Sequence, residues 1–155
     1  MKKIIFTGGS GRFAKTFKNI NHKFQIEYPS KKIFNIENFN NIIRYLKKTK
    51  PSYLIHCAAL SRPMKIHETN ISKSISTNII GTANIVKACK KFNIKLIYFS
   101  TNYVYPGTKG NYSERDPLLP INNYAISKLG GECSVQLYKK SLILRVCMTE
   151  KPFVH

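Results

Sequence analysis

The feature that most constrains this chain lies near its start, where the apolar run Lys3-Ile4-Ile5-Phe6-Thr7 leads directly into Gly8-Gly9-Ser10-Gly11-Arg12-Phe13-Ala14. A short apolar run ended by glycines reads as a buried parallel strand. Small residues at Gly8, Gly11 and Ala14 then permit a tight turn, a close backbone approach and close packing of the helix that follows. A glycine-rich turn after the first strand and opening the first helix occupies the one place that a dinucleotide pyrophosphate requires. It is not a P-loop, because no Gly-Lys-Ser/Thr follows.

The rest of the chain alternates strand and helix. A helix is expected from Gly11 towards Ile20 with Ala14 and Phe17 inward, then a second strand where Phe24, Ile26 and Tyr28 alternate before Pro29, and a short third strand at Ile33-Phe34. Phe39, Ile42, Ile43 and Leu46 share one helical face, which Pro51 ends. Ser52 to Cys57 reads as a fourth strand. The most regular helical spacing comes next, with Ile71, Ile75, Ile79, Ala83 and Val86 at intervals of four, four, four and three. Leu96-Ile97-Tyr98-Phe99 is a fifth strand, Asn122 or Asn123 caps a helix from Tyr124 to about Tyr138, and Leu142-Ile143-Leu144 begins a sixth strand. The pattern predicts one α/β domain over residues 1–155, a doubly wound parallel sheet of the Rossmann type, ordered 3-2-1-4-5-6.

Among the 155 residues, 26 Lys and Arg face 7 Asp and Glu, a formal charge of +19 that resembles the footprint of a polyanion binder. The lysines are scattered, however, and accompanied by the Ile and Asn that an A/T-rich coding sequence favours, so nucleic acid is not the expected partner. Cys57, Cys89, Cys133 and Cys147 form no CxxC pair, and His22, His56, His67 and His155 do not cluster. Reduced, mostly buried thiols, no metal site and a cytoplasmic location are therefore expected, with His56 a satisfied residue at the end of its strand. No signal peptide is read, since Ile4-Ile5-Phe6 meets Gly8-Gly9 before an apolar segment is complete, and the longest apolar run, Tyr53 to Leu60, is too short to span a bilayer.

Two constellations suggest chemistry. At the exit of the second strand, Ser30 and Lys31 lie across the turn from Arg12, while Glu27 comes too early to meet a ribose. Basic and hydroxyl groups there suit a 2′-phosphate, which favours NADP(H), with NAD(H) as the alternative. Farther along, Tyr124 and Lys128 stand at i and i+4 on one helical face, where an ammonium is expected to lower the tyrosine pKa for proton transfer. Tyr28/Lys32 and Tyr105/Lys109 share the spacing, but Pro29 and Pro106-Gly107 keep them off a regular helix. The Tyr124 helix also follows a strand that ends in Ser100-Thr101-Asn102, and Arg62 follows the fourth strand on the crevice side as a candidate substrate contact. Arg145 must find a partner or the surface, and Glu132, one turn beyond Lys128, is read as its pairing carboxylate.

These segments together resemble an extended short-chain dehydrogenase/reductase, most closely the dTDP-4-dehydrorhamnose reductase group. The turn Gly8 to Ala14 matches Gly-x-x-Gly-x-x-Gly/Ala; Pro51 to Ala59 is similar to the family's fourth strand, Asn78 to Asn84 to its fourth-helix motif, Ser100-Thr101-Asn102-Tyr103-Val104-Tyr105 to its Ser-Thr-Asp-Tyr-Val-Phe, and Pro120 to Glu132 to its catalytic segment. The resemblance implies that Thr101 polarises a carbonyl, Tyr124 donates the proton, Lys128 tunes Tyr124 and holds the nicotinamide ribose, and Asn78 supports them. It implies cofactor contacts from Gly8, Gly11, Arg12, Phe13, Ser30, Lys31, Asn35, Ile36, Ala58, Ala59 and Leu60, and substrate contacts from Arg62, Thr101 and Asn102. Asn35 and Asn102 stand where the family has aspartates. The substrate so implied is a 4-keto nucleotide-sugar reduced by NADPH. A 4-epimerase and a non-catalytic dinucleotide-binding module remain as alternatives, whereas Asn102-Tyr103 replaces the Asp-Glu of the 4,6-dehydratases. Family members continue with a further strand and a region that closes over the nucleotide-sugar, so beyond Pro152-Phe153-Val154-His155 the resemblance implies a missing carboxyl-terminal part or a second chain, compatible with a homodimer.

Overall fold

The alternation of apolar strands with amphipathic helices resolves into a five-stranded parallel sheet in the computed structural model, which describes residues 2–20 and 23–148. The strands are β1 (Lys3–Thr7), β2 (Gln25–Glu27), β3 (Tyr53–His56), β4 (Lys95–Thr101) and β5 (Ser141–Val146), in the order β2-β1-β3-β4-β5. The helices are α1 (Arg12–Lys18), α2 (Phe39–Thr49), α3 (Ile66–Thr69), α4 (Ile71–Ser74), α5 (Gly81–Phe92) and α6 (Asn123–Gln136), and a π-helical stretch, Ile75–Ile80, joins α4 to α5. His22, His155 and the final Pro152-Phe153-Val154-His155 lie outside the described residues.

Ile33-Phe34 is not a strand. Ser30 O accepts hydrogen bonds from Ile33 N (3.0 Å) and Phe34 N (2.9 Å), which curls the chain into a turn. Phe34 drops into the core with its ring 5.1 Å from Tyr45, while Ile33 stays exposed. Without that strand, the remaining order is the one expected. The second strand is also shorter than expected, with Phe24 exposed beside it.

Strand alternation divides the core into two layers. Ile5, Leu54, Leu96 and Tyr98 face Ile42 and Leu46 of α2, Ile85 and Cys89 of α5, and Val135 of α6. On the other side, Ile4, Phe6 and Ile55 meet Ala14 of α1, with Phe13, Phe17, Tyr28 and Phe99 packed around them. This second face is less completely covered: Ile97 and Phe99 are half-buried, and Leu142, beside Ile97 in the sheet, is exposed.

The regular spacing from Ile71 to Val86 does not mark one inward face. Ile71 and Ile75 are exposed, Ile79 and Ala83 half-buried and Val86 buried, whereas Ser74, Asn78, Thr82 and Ile85 face the interior. Steps of four overshoot the 3.6-residue turn by about 40° each, so such a stripe winds around the helix. The π-helical stretch moves it further. Two of the four thiols are exposed (Cys133 and Cys147), against the expectation of mostly buried ones, while Cys89 is buried and Cys57 half-buried. No helix among the described residues is long and apolar enough to cross a membrane.

Arg145 does find a partner, and it is Glu132. Its Nε lies 3.2 Å from both carboxylate oxygens and its Nη2 2.9 Å from Oε2, so Glu132 is not paired with Lys128 as its position one turn away suggested. Arg145 Nη1 also donates to the Tyr105 hydroxyl at 2.8 Å, which ties the loop after β4 to α6 and β5. Glu132 is fully buried. Removing one partner strands a buried charge, which costs about 3–5 kcal/mol, whereas replacing both by apolar groups is often near neutral. Arg145→Met or Glu132→Leu alone is therefore expected to lower unfolding free energy by about that amount in urea titrations, and the double substitution to recover most of it.

Candidate active site

The glycine turn closes through Gly11 N to Gly8 O (2.8 Å). Gly8 has φ +76°, and a Cβ there would lie 2.9 Å from Ala58 N, so conformation and space both demand glycine. Thr7 fixes the turn against the exit of β3: its Oγ1 accepts from Cys57 N (3.2 Å) and Ala58 N (3.1 Å). The backbone path at Gly8, Ala58 and Ala59 therefore forms one rim of the crevice at the carboxyl ends of β1 and β3.

A buried line of polar groups leads from this rim to α6. Because Thr7 Oγ1 accepts from two amides, its own proton is left for His56 Nδ1, 2.8 Å away. That assigns the His56 proton to Nε2, which donates to Thr82 Oγ1 at 3.1 Å. The Thr82 hydroxyl lies near that of Tyr98, where it opposes the burial that raises the Tyr98 pKa, and Tyr98 donates to Lys128 O at 3.2 Å. His56 is thus the satisfied strand-end residue expected. Burial, with a smaller effect from the Lys128 charge, pushes its pKa down to about 3.

At the end of β4, Thr101, Tyr124 and Lys128 converge. The Thr101 hydroxyl lies close enough to the Tyr124 phenol to act on its pKa, while it donates to Asn102 Oδ1 at 3.5 Å and accepts from Tyr103 N at 3.3 Å. Lys128 Nζ donates to Phe99 O at 2.8 Å and lies 4.2 Å from the centre of the Tyr98 ring. Burial lowers the Lys128 pKa to about 8. The expected lowering of the tyrosine does not occur: burial raises Tyr124, with the Thr101 hydroxyl opposing, because the Lys128 ammonium is turned to a strand carbonyl and not to the phenol. Asn78, in the π-helical stretch, brackets the site. Its Oδ1 accepts from Leu60 N (2.8 Å), and its Nδ2 donates to Leu60 O (2.9 Å) and Ser127 Oγ (2.8 Å). The close approach of α6 depends on Gly131, where a Cβ would come within 2.6 Å of the Tyr98 hydroxyl and 2.9 Å of Asn78 O.

Other expected site residues are placed less directly. Arg12, Ser30 and Lys31 are exposed near the glycine turn, with Lys31 paired to Glu37 at 2.9 Å. Phe13 packs on Phe99 at 5.1 Å between ring centroids. Ile36 is a core side chain against Gly81, and Asn35 Oδ1 already accepts from Glu37 N at 3.0 Å. Arg62 is exposed on the segment after β3, and Asn102 is half-buried beside Thr101. His67, which carried no role in the sequence, lies against Tyr124 with ring centroids 5.2 Å apart. Two open clefts of about 370 and 330 Å³ lie at the opposite end of the sheet, near Tyr53 and Phe92, and contain none of these groups.

The model of the RmlD substrate binding domain matches residues 1–149. The chain belongs to this family. Among curated RmlD-like relatives, the dTDP-4-dehydrorhamnose reductase of Aggregatibacter actinomycetemcomitans is 27% identical over 154 residues, covering 96% of this chain and 52% of the relative. The methionine adenosyltransferase 2 subunit beta of Bos taurus is 28% identical over 143 residues, 86% of this chain and 42% of that protein. The crystal structure of dTDP-4-dehydrorhamnose reductase from Bacillus anthracis in complex with NADP superposes with a TM-score of 0.85 at 31% identity, covering 94% of this chain and 53% of that one. The chain spans about half the length of the curated relatives it matches.

The hydrogen-bond chain makes His56 a source of acid sensitivity. Its folded pKa of about 3 lies below the unfolded value of about 6.5, so between them the unfolded state binds the extra proton and stability is lost as pH falls. Between pH 6.5 and 5 this amounts to roughly 2 kcal/mol. In urea unfolding at the two pH values, His56→Gln is expected to lose about that much less than the parent chain. An equal loss in both would contradict the assignment.

Proposed function

We propose that this chain is the dinucleotide-binding half of an NADPH-dependent reductase acting on a 4-keto nucleotide-sugar. The observation that carries the reading is the convergence of Thr101, Tyr124 and Lys128 at the carboxyl end of β4, in the same crevice as the Gly8 turn. The bound cofactor supplies a hydride to the keto carbon. The chain's residues do the rest. Gly8 and Gly11 admit the pyrophosphate, and Arg12, Ser30 and Lys31 lie where a 2′-phosphate is recognised. The Thr101 hydroxyl donates to the substrate oxygen, and the Tyr124 phenol gives that oxygen its proton. Burial raises the Tyr124 pKa, so the phenol is protonated at neutral pH and available as the donor, though a weaker acid than a free tyrosine. Lys128, buried and cationic at neutral pH, is assigned the nicotinamide ribose, and Asn78 fixes α6 relative to the exit of β3. A 4-epimerase would use the same tyrosine and hydroxyl.

A second reading is favoured by the likeness to methionine adenosyltransferase 2 subunit beta, whose name is that of a subunit. On that reading the chain binds a dinucleotide without turnover and serves a partner protein. NADPH oxidation with a dTDP-4-keto-6-deoxy sugar separates the two. The reductase reading expects turnover that Tyr124→Phe lowers by about 100-fold or more, with NADPH affinity retained. NADPH binding without oxidation, indifferent to Tyr124→Phe, would favour the subunit reading.

A further inference from the structure

We infer that His67 is a positioning residue that supplies the shelf on which the Tyr124 ring rests. Tyr124 stands in the first turn of α6, after the Asn122 cap and Asn123. A helical side chain lies back over the turn on its N-terminal side, and at this position the helix has no such turn to offer. Support for the ring has to come from another element. It comes from α3: His67 is buried, and its ring lies 5.2 Å from that of Tyr124 at an angle of 55°. The other ring neighbour, Tyr103, is 41% exposed and meets Tyr124 edge-on at 6.4 Å, a looser contact.

The shelf is itself fixed. His67 Nδ1 is 2.7 Å from the hydroxyl of the buried Ser74, which sets the rotation of the imidazole. The Asn123 side chain donates to His67 O at 3.5 Å and to the Glu68 carboxylate, which fastens α3 to the start of α6. His67 Nε2 is buried without a partner among the described residues, an unfavourable state, so hydrogen bonding alone does not account for this ring's placement. The contact with Tyr124 accounts for a flat ring at this place, because it holds the phenol beside Thr101. Displacing α3 would turn the phenol away from Thr101 without touching the glycine turn.

The structural test needs no turnover. In the full chain with 13C-labelled tyrosine rings, Tyr124 is assigned by its loss in Tyr124→Phe. His67→Ala is expected to shift the Tyr124 ring signals and speed ring flipping while backbone amides of β1 and β3 stay unchanged; His67→Phe, which keeps the shelf, is expected to leave Tyr124 near its parent position. Unchanged Tyr124 signals in His67→Ala, or equal perturbation by Ala and Phe, would overturn the inference. If α3 detaches in His67→Ala, Ser74→Ala provides the milder test, with a smaller Tyr124 shift expected and none overturning it. A kinetic arm rests on the reductase reading: kcat falls about tenfold in His67→Ala with the NADPH KM unchanged and recovers in His67→Phe. Absence of turnover in the parent chain would count against that reading alone, since the ring signals decide the role of His67 separately.

Discussion

The site depends most on a line of buried polar groups between the sheet and its helices, in which hydrogen bonds join Thr7, His56 and Thr82, and Tyr98, beside Thr82, donates to the carbonyl of Lys128. Each group has one role open to it. The two amides that Thr7 accepts leave its proton only one direction to go, and the proton on His56 is then settled in turn. A polar chain in a dry interior is costly unless every member is satisfied, and when it is satisfied it permits one arrangement of the elements it joins. Here it joins the strand that carries the glycine turn to the helix that carries Tyr124 and Lys128. The two halves of the crevice are thereby set at one distance from each other.

Packing reinforces the same relation. Gly131 lets α6 approach Tyr98 and the π-helical stretch more closely than any side chain would allow, and the widened stretch presents Asn78 to both Leu60 and Ser127. The buried pair of Glu132 and Arg145 holds the next turn of α6 to β5, and through Tyr105 it gathers in the loop beyond Thr101. The opposite face of the sheet is looser where β4 and β5 meet, with Leu142 exposed beside a half-buried Ile97.

Much of this was legible in the sequence. The glycine turn is legible because Gly8 adopts a left-handed backbone with Ala58 packed where a Cβ would stand, and Tyr124 with Lys128 because helical spacing brings i and i+4 together. What was not legible depended on which of several partners a side chain would choose. Ile33-Phe34 had the composition of a strand, but the carbonyl of Ser30 drew the backbone into a turn. The stripe from Ile71 to Val86 conceals a buried face made of Ser74, Asn78 and Thr82, since nothing local marks the π-helical stretch. Spacing alone reveals neither that Lys128 turns to Phe99 O, which leaves burial to raise Tyr124, nor that the partner of Glu132 is Arg145 on the next strand. His67 gained a role only once α3 was seen packed on α6, a contact between segments far apart in the chain.

The central claim is that the glycine turn and the Tyr124–Lys128 helix are two walls of one nicotinamide dinucleotide site. NADPH titration followed by the backbone NMR signals of Gly8 and Gly11 together with those of Tyr124 and Lys128 tests it most directly. One site predicts that both groups of signals shift along a single saturation curve. Shifts confined to one wall, two different curves, or no shift at all would contradict it.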